Sequence, residues 1–340
     1  MDELLLPEPF SGGLILSYKC NSHCRHCMYA CSPRFKGDWI SERDAERILV
    51  QLADKVRESP LGPDRIGVNY GLHFTGGEPF LNFDLLLKVT EMARGLRIPS
   101  TFVETNSFWC INDDVTRDKL TELRDAGLHG ILVSVNPFLL EYVPFERTER
   151  AVRIGGEVFG ENVIVYQTFF YHQFKRLGFR GSLLFDEYLR TAGIEGLSYV
   201  ELLPMGRACY RLGDLYRKYP AERFFGESCR AELTRPWHIH IDNYGNYIAG
   251  YCGGISLGDA RDLSSLRKVD LSDKPVLRAL VTDLRRLYEL GVEEFGYKER
   301  KAGYISKCHL CVDVRRHIAQ QTDMFKELSP REFYLHLDGE

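Results

Sequence analysis

The stretch that decides the fold is Gly13-Leu-Ile-Leu-Ser17-Tyr-Lys-Cys20-Asn-Ser-His-Cys24-Arg-His-Cys27. Its first five residues form a short apolar run, which predicts a buried β-strand. The loop that follows holds three cysteines in the pattern C-x3-C-x2-C. Three such thiolates can bind three irons of a [4Fe–4S] cluster and leave the fourth iron open. The spacing also fits a structural zinc site with His23 or His26 as the fourth ligand.

The composition of the 340-residue chain is that of an ordinary globular protein, with 44% hydrophobic and 27% charged residues. Its net charge is −4, and Lys and Arg form no long runs, so we expect no nucleic-acid partner. The longest apolar runs are the size of a strand, so we expect no membrane span. Because the N-terminus lacks the basic start of a signal peptide, we expect a cytoplasmic location.

Short apolar runs alternate with amphipathic stretches over the first two thirds of the chain. Strands are predicted at 13–17, 66–74, 101–105, 130–135, 162–170 and 197–203. Helices are predicted at 41–58, with Ser41 as N-cap, and at 82–94, 114–126, 144–159 and 183–192. This alternation predicts an α/β fold, a partial (β/α)6 barrel whose chemistry lies at the carboxyl ends of the strands.

The pattern changes after Gly206. Residues 207–340 hold two predicted strands, 237–241 and 247–249, around the turn Asn243-Tyr-Gly-Asn246, and a predicted helix at 274–290. Cys229 and Cys252 flank this hairpin, and Cys308-His-Leu-Cys311 is a C-x2-C pair. Four thiolates can ligate every iron of a [4Fe–4S] cluster, and they also fit zinc. We therefore predict two domains, 1–206 and 207–340, the second a small α+β domain around a metal site.

A second motif, Phe74-Thr-Gly76-Gly77-Glu78-Pro79, follows the second predicted strand. Its glycines allow a close approach to a ligand, and its carboxylate can accept from an ammonium group. Alone, it could be a turn before a helix. One βα unit after the cysteine loop, it resembles the motif pair of the radical S-adenosylmethionine (SAM) superfamily. The resemblance implies that Cys20, Cys24 and Cys27 hold a [4Fe–4S] cluster, whose open iron binds the amino and carboxylate groups of SAM.

The resemblance also assigns residues at the ends of later strands. Thr105-Asn106 resembles the T-N-G turn of the family, with Ser107 in place of glycine, and Leu203-Pro-Met-Gly206-Arg207 resembles an element that closes the barrel. Each polar residue, taken singly, could instead be an ordinary strand-end residue. The implied SAM-binding set is His26, Gly76, Gly77, Glu78, Asn106, Ser134, Asn136 and Arg207.

The order of the four later cysteines resembles the shortened auxiliary-cluster domain called twitch, a relative of the longer SPASM domain. It implies a second [4Fe–4S] cluster, held by Cys229, Cys252, Cys308 and Cys311, which would relay electrons because it has no open iron. A flavodoxin- or ferredoxin-type protein would supply the reducing electron. With the first cluster cysteine at position 20, we expect no N-terminal leader-binding domain.

The reaction implied by the family begins with reductive cleavage of SAM to methionine and a 5′-deoxyadenosyl radical. That radical abstracts hydrogen from a peptide or small-molecule substrate. We expect oxidation or cross-linking, with the auxiliary cluster as electron acceptor. One alternative is a redox-neutral epimerase or rearrangement enzyme, and another is a non-catalytic electron-transfer or binding protein.

The three remaining cysteines follow strand ends and are expected around the mouth of the cavity. Cys31, Cys110 and Cys209 are candidate hydrogen donors for the redox-neutral reaction, and Cys31 is also a candidate spare ligand. The alternative is that each is a small buried hydrophobic residue.

Overall fold

The chain folds around one seven-stranded sheet, and the computed structural model describes residues 3–199 and 202–338. The strands in these residues are β1 Glu3–Leu5, β2 Gly12–Ile15, β3 Leu72–Thr75, β4 Phe102–Thr105, β5 Gly130–Ser134, β6 Val163–Tyr166, β7 Ile239–Ile241, β8 Tyr247–Ile248 and β9 Lys268–Asp270. The α-helices are α1 Glu42–Leu52, α2 Phe83–Gly95, α3 Asp113–Asp125, α4 Pro137–Leu140, α5 Phe145–Phe159, α6 Thr168–Leu177, α7 Phe185–Ala192, α8 Ala208–Arg211, α9 Arg230–Leu233, α10 Pro275–Thr282, α11 Leu284–Phe295 and α12 Lys307–Gln321.

The strand order of the large sheet is β6-β5-β4-β3-β2-β7-β8. Strands β2 to β6 are parallel and consecutive, and helices connect each to the next, which confirms the predicted α/β fold with a parallel sheet. Consecutive parallel strands with crossover helices are the repeating unit of a (β/α) barrel. Their carboxyl ends therefore lie along one edge, where the residues after each strand meet.

The first helix shows how local sequence sets an element. Ser41 caps α1, and its hydroxyl accepts a hydrogen bond of 3.1 Å from the backbone N–H of Asp44. The buried residues Ala45, Ile48, Leu49 and Leu52 recur at helical spacing and pack against the sheet core. The predicted N-cap is confirmed, although the helix ends at Leu52, six residues before the predicted end.

Other predicted boundaries also differ from the structure. The second strand begins at Leu72 because a turn precedes it, and β6 ends at Tyr166, since α6 already begins at Thr168. The predicted helix 274–290 is two helices broken at Asp283, whose side chain caps the second one by accepting from Arg285 N at 2.8 Å.

The predicted strand 197–203 is wrong where the structure describes it. Glu195–Tyr199 is a 3-10 helix, residues 200–201 lie outside the described residues, and residues 202–205 have no strand pairing. The sixth parallel strand of the sheet is instead β7, which lies beside β2 at the opposite side from β6. A strand from the predicted second domain thus completes the parallel array.

The predicted hairpin is confirmed, because β7 and β8 pair antiparallel around Gly245. Gly245 has a φ of +85°, a conformation that glycine adopts without strain. Since β7 also pairs with β2, the large sheet crosses the predicted domain boundary at Gly206. No helix among residues 3–199 and 202–338 combines the length and apolar character needed to cross a bilayer.

Candidate active site

A cavity of about 530 Å³ lies at the carboxyl ends of the parallel strands. We call it the barrel cavity. Its lining includes Cys20, Cys24, Cys27, Gly76, Gly77, Asn106, Ser134 and Asn136. These residues follow or end β2, β3, β4 and β5, so the parallel register brings segments 116 residues apart in sequence to one site. His26 and Cys31 line the cavity as well, whereas Glu78, Arg207, Cys110, Cys209 and the four later cysteines are not among its described lining residues.

The cysteine loop after β2 is held by its own backbone. The N–H of Ser22 donates to Cys20 Sγ at 3.4 Å, and the N–H of Cys31 donates to Cys27 Sγ at 3.3 Å. Burial raises the pKa of Cys20 to about 12, and the pKa of Cys24 lies well above its usual value for the same reason, with Cys20 and Cys27 as charged neighbours. Metal binding would have to displace protons from these thiols.

The glycine pair after β3 packs directly on this loop. A Cβ atom on Gly77 would overlap the carbonyl of Lys19, and a Cβ on Gly76 would overlap the carbonyl of Ser17. Gly76 also has a φ of +145°. Only glycines allow the two loops to approach this closely, and both glycines leave their backbone facing the barrel cavity.

Asn106, after β4, ties its strand end to the cysteine loop. Its amide nitrogen donates to Asn21 Oδ1 at 2.7 Å and lies 3.8 Å from Cys20 Sγ. The next residue, Ser107, has a φ of +67°, which explains why glycine is the common choice at this turn position. The backbone at Ser107 therefore has a conformation that favours glycine, and the SAM-binding role of Asn106 stays a prediction.

Asn136 and His26 meet on another side of the cavity. Asn136 caps α4 through its side-chain oxygen, and its amide nitrogen lies 3.3 Å from His26 Nε2. The imidazole of His26 stacks on Phe138 with ring centroids 5.0 Å apart. The other ring nitrogen, His26 Nδ1, is buried and has no hydrogen-bond partner among the described residues. An unpartnered buried nitrogen on the cavity wall fits a site for a polar ligand.

Glu78 does not stand where the resemblance implies. Its side chain is 1% exposed and is not among the described residues that line the cavity. Its carboxylate accepts from Asn106 N at 2.7 Å, Thr105 Oγ1 at 2.9 Å and Phe80 N at 3.3 Å. Burial raises the pKa of Glu78 to about 7. In this structure Glu78 fixes the ends of β3 and β4, and the backbone of Gly76–Gly77 faces the cavity instead.

Arg207 also lies behind the cavity wall. It is fully buried, and its guanidinium donates to the carbonyls of Cys24, Ala30, Cys31 and His336 at 2.7–2.9 Å. Three of these carbonyls belong to the cysteine loop. Arg207 therefore clamps that loop and places a positive charge beside its thiols. The hydrogen bond with Cys31 lowers the pKa of Cys27, and the charge of Arg207 lowers it further. The expectation that Arg207 contacts SAM is replaced by a clamping position.

A sequence model described as the Radical SAM superfamily matches residues 14–154. The chain contains a radical SAM domain. Solved structures with a similar fold include BtrN in complex with AdoMet and 2-DOIA, at a TM-score of 0.46 and 15% identity over 77% of this chain and 83% of that one. They also include native anSMEcpe with bound AdoMet and Cp18Cys peptide, with a TM-score of 0.43 and 12% identity over 92% of this chain and 98% of that one. Streptococcus suis SuiB bound to precursor peptide SuiA has a TM-score of 0.32 and 15% identity over 72% of this chain and 60% of that one. No curated protein sequence matches the chain.

The radical SAM superfamily uses a [4Fe–4S] cluster and SAM as its cofactors, and this cavity fits both. The donor set is three cysteines on one loop, the thiolate ligation that iron–sulfur clusters take. Beside it lie the glycine cradle that a Cβ would fill and the unpartnered His26 Nδ1. The residues of this chain are therefore suited to hold both cofactors.

The four later cysteines lie near one another. Burial, together with the charges of the neighbouring cysteines, raises the pKa values of Cys252 and Cys308 to about 12, and Cys229 feels the charges of Cys252 and Cys311. Arg315, 4% exposed, donates to Cys311 Sγ at 3.2 Å and to the carbonyl of Gly253 at 3.1 Å. A buried cation beside grouped thiols fits a negatively charged cluster.

The three remaining cysteines do not share one location. Cys31 lines the barrel cavity and lies beside Cys27. Cys110 is fully buried in the apolar core, and Cys209 lies near Cys308 and Cys311, where its thiol donates to the carbonyl of Pro204 at 3.2 Å. Neither of these two is among the described residues that line the cavity. The expected position at the cavity mouth is therefore wrong for Cys110 and Cys209, because their chain segments turn into the core.

Sequence reasoning missed three histidines at the floor of the cavity. His73 lies on β3, His240 lies on β7 and His238 directly precedes β7. All three are buried, and their ring nitrogens form a group that could hold a metal ion. The signal was the His-x-His spacing of 238 and 240 within a predicted strand, since residues two apart share a face.

Proposed function

We propose that this chain is a radical SAM oxidoreductase that removes hydrogen from a peptide or small-molecule substrate held in the barrel cavity. The observation that carries the proposal is the convergence of Cys20, Cys24 and Cys27 with the Gly76–Gly77 backbone on one cavity of about 530 Å³. Cavities of this size take small ligands and side chains.

The residues of this chain would divide the work as their positions indicate. When bound, the cluster and SAM supply the 5′-deoxyadenosyl radical that abstracts the substrate hydrogen. Cys20, Cys24 and Cys27 hold the cluster, and the backbone of Gly76–Gly77 binds the amino group of the methionine portion. Asn136, with the stacked ring of His26, orients the nucleoside portion on the opposite side.

The substrate side of the cavity mixes apolar walls with one cation. Leu132, Phe170 and Leu202 line one part. On another, Arg235 lies over the rings of Trp237 and Tyr251, at 4.1 and 4.2 Å from their centroids. A cation held between two rings keeps its orientation and can pair with an anionic group. We infer that the substrate carries a negatively charged group.

Oxidation is the outcome that the second cysteine group supports best. Once the bound cofactors had removed a hydrogen atom from the substrate, the substrate would still have to lose one electron and one proton to complete a two-hydrogen oxidation. Tyr251, the residue before Cys252, lines the barrel cavity. A cluster held by Cys229, Cys252, Cys308 and Cys311 would thus lie close enough to accept that electron.

One observation favours the redox-neutral alternative as a second candidate. Cys31 is the member of the leftover trio that lines the cavity, and a thiol there can return a hydrogen atom to a substrate radical. Its sulfur also lies beside Cys27, so a spare-ligand role competes with this one.

The test is anaerobic incubation of the reconstituted protein with SAM, a reductant and candidate anionic substrates, followed by mass spectrometry. We expect deoxyadenosine together with a product two hydrogens lighter than the substrate. A product of unchanged mass would favour the redox-neutral reaction. Failure to form any deoxyadenosine, with both clusters loaded, would contradict the enzymatic proposal. Replacement of Cys20, Cys24 and Cys27 together by Ala is the matched control and should abolish SAM cleavage.

A further inference from the structure

Three buried histidines form one group at the floor of the barrel cavity. We call His73, His238 and His240 the histidine triad; they are 1%, 6% and 3% exposed. One ring nitrogen from each lies within 4.8 Å of the other two. The rings are arranged as a triangle with centroids 4.9–5.2 Å apart. His238 and His240 line the cavity, and His73 lies behind them.

A glycine in the sheet makes this meeting possible. Strand β2 lies between β3 and β7, and the register pairs Gly13 with both His73 and His240. A Cβ atom on Gly13 would overlap His73 Nε2 and approach the ring of His240. Because Gly13 has no side chain, the imidazoles from the strands on either side reach across it and face each other.

One pair of ring nitrogens has a spacing close to that of a metal site. His73 Nε2 and His240 Nε2 form a hydrogen bond of 3.1 Å, so a bound metal ion would replace the proton that they share. Two imidazole nitrogens that share one tetrahedral zinc, each about 2.0–2.1 Å from it, lie about 3.3 Å from each other. Small movements would therefore admit a metal ion between them.

The outer nitrogens have the partners that metal-binding histidines need. His238 Nδ1 donates to the carbonyl of Val68 at 2.7 Å, which leaves Nε2 as the acceptor. His240 Nδ1 lies 2.9 Å from the hydroxyl of Tyr29. A hydrogen bond to the second ring nitrogen fixes the tautomer and orientation of a metal ligand.

Three polar rings in buried positions, one of them with an unfavourable backbone conformation, destabilise the fold, so their presence indicates a function. The inward positions of a barrel are normally filled by branched apolar side chains, and Phe102 and Leu132 fill them nearby. His238 also adopts a φ of +48°, an uncommon backbone conformation for a residue other than glycine.

A carboxylate lies next to the triad. Glu104 Oε1 is 3.8 Å from His73 Nε2, and Glu104 Oε2 accepts from Thr75 Oγ1 at 2.7 Å. Glu104 also lines the cavity. Its negative charge would offset that of a bound cation.

We propose that the histidine triad, with Glu104, binds a divalent transition-metal ion such as Zn²⁺, with an open position toward the barrel cavity. Imidazole and carboxylate ligands suit this class of ion. The open position would bind an oxygen or nitrogen donor of the substrate and hold it under the radical-generating site. Metal binding at the triad does not depend on SAM cleavage, so it can be tested separately from the proposed oxidation.

The test uses the full-length protein with its iron–sulfur sites loaded, because empty cysteine sites would also take zinc. The protein is dialysed against micromolar ZnCl2, and zinc and iron are counted by elemental analysis. We expect one zinc per chain in addition to the cluster iron. Zinc-edge X-ray absorption should show nitrogen and oxygen neighbours at about 2.0–2.1 Å.

Variants locate the metal. His73→Gln/His238→Gln should lower zinc affinity at least a hundredfold and leave the iron content unchanged. Tyr29→Phe, which keeps all three imidazoles, should lower it about ten- to a hundredfold. The matched control is His129→Gln, because His129 is a partly buried histidine whose Nδ1 bonds to Thr101 N outside the triad. It should bind zinc as the wild type does.

Two results would overturn the proposal. One is wild-type protein that takes up no zinc beyond its clusters, or whose zinc has sulfur neighbours at about 2.3 Å. The other is unchanged zinc binding in the double variant. The absorption spectrum of the wild type decides the question even if a variant fails to fold.

Discussion

The guanidinium of Arg207 donates a hydrogen bond of 2.9 Å to the carbonyl of Cys24. This contact joins the chain that follows the barrel to the loop expected to hold the first cluster, across 183 residues of sequence. It also places a buried positive charge next to three thiols. The cysteine loop is therefore held by a residue that is not among the described residues lining the barrel cavity.

Replacing Arg207 tests this clamp. Arg207→Met leaves four buried carbonyls without their donor, at a cost of about 1–3 kcal/mol for each group that stays unsatisfied. We expect the free energy of unfolding to fall by several kcal/mol and the first cluster to load poorly. Urea unfolding and iron analysis measure both effects. Arg207→Lys keeps the charge but not the planar fork, so it should rescue only in part. Normal iron content in Arg207→Met would contradict the clamping role.

Glu78→Ala separates a positioning residue from a direct ligand. The change removes the acceptor for Asn106 N, Thr105 Oγ1 and Phe80 N. We expect about 2–3 kcal/mol lower stability and a ten- to hundredfold weaker affinity for SAM, with normal iron content. Calorimetric titration measures the affinity for SAM, and urea unfolding measures the free energy of unfolding. Weaker binding without any loss of stability would instead mean that the carboxylate contacts the ammonium group itself.

If Cys229, Cys252, Cys308 and Cys311 hold a second cluster, the iron content of the protein should show it. Anaerobically reconstituted protein should hold about eight irons and eight sulfides, from two four-iron clusters. Cys308→Ala/Cys311→Ala should lower this to about four irons, and SAM cleavage should persist while formation of the oxidised product stops. Elemental analysis and product analysis check the two outcomes. Stoichiometric zinc in place of the second cluster would refute the auxiliary assignment.

Replacing Cys31, Cys110 and Cys209 one at a time tests which of them lies close enough to the substrate to take part in the reaction. Cys110→Ala and Cys209→Ala should leave product identity unchanged, because both thiols lie away from the barrel cavity. In the oxidative reaction Cys31→Ala should also preserve it. The measurement is deoxyadenosine and product in the same incubation. If Cys31→Ala forms deoxyadenosine while turnover stops, Cys31 is the hydrogen donor and the redox-neutral reaction is correct.

The sequence by itself determined the elements whose causes are local. The apolar run before Cys20, the cap at Ser41 and the turn at Gly245 each follow from neighbouring residues, and each appears in the structure. The cysteine spacing and the glycine pair likewise indicated the radical SAM domain, because these motifs are short and contiguous.

Only the tertiary structure decided which residues face the cavity and which hold it from behind. Glu78 follows the cavity residue Gly77, and Arg207 lies four residues after the cavity residue Leu203, yet packing buries both side chains. The histidine triad depends on β7 pairing with β2, a contact between strands more than 220 residues apart. Local pattern cannot specify such a pairing, since strand partners are chosen by long-range burial and register. Because β2 pairs with β3 on one side and with β7 on the other, His73 and His240 lie opposite each other across Gly13.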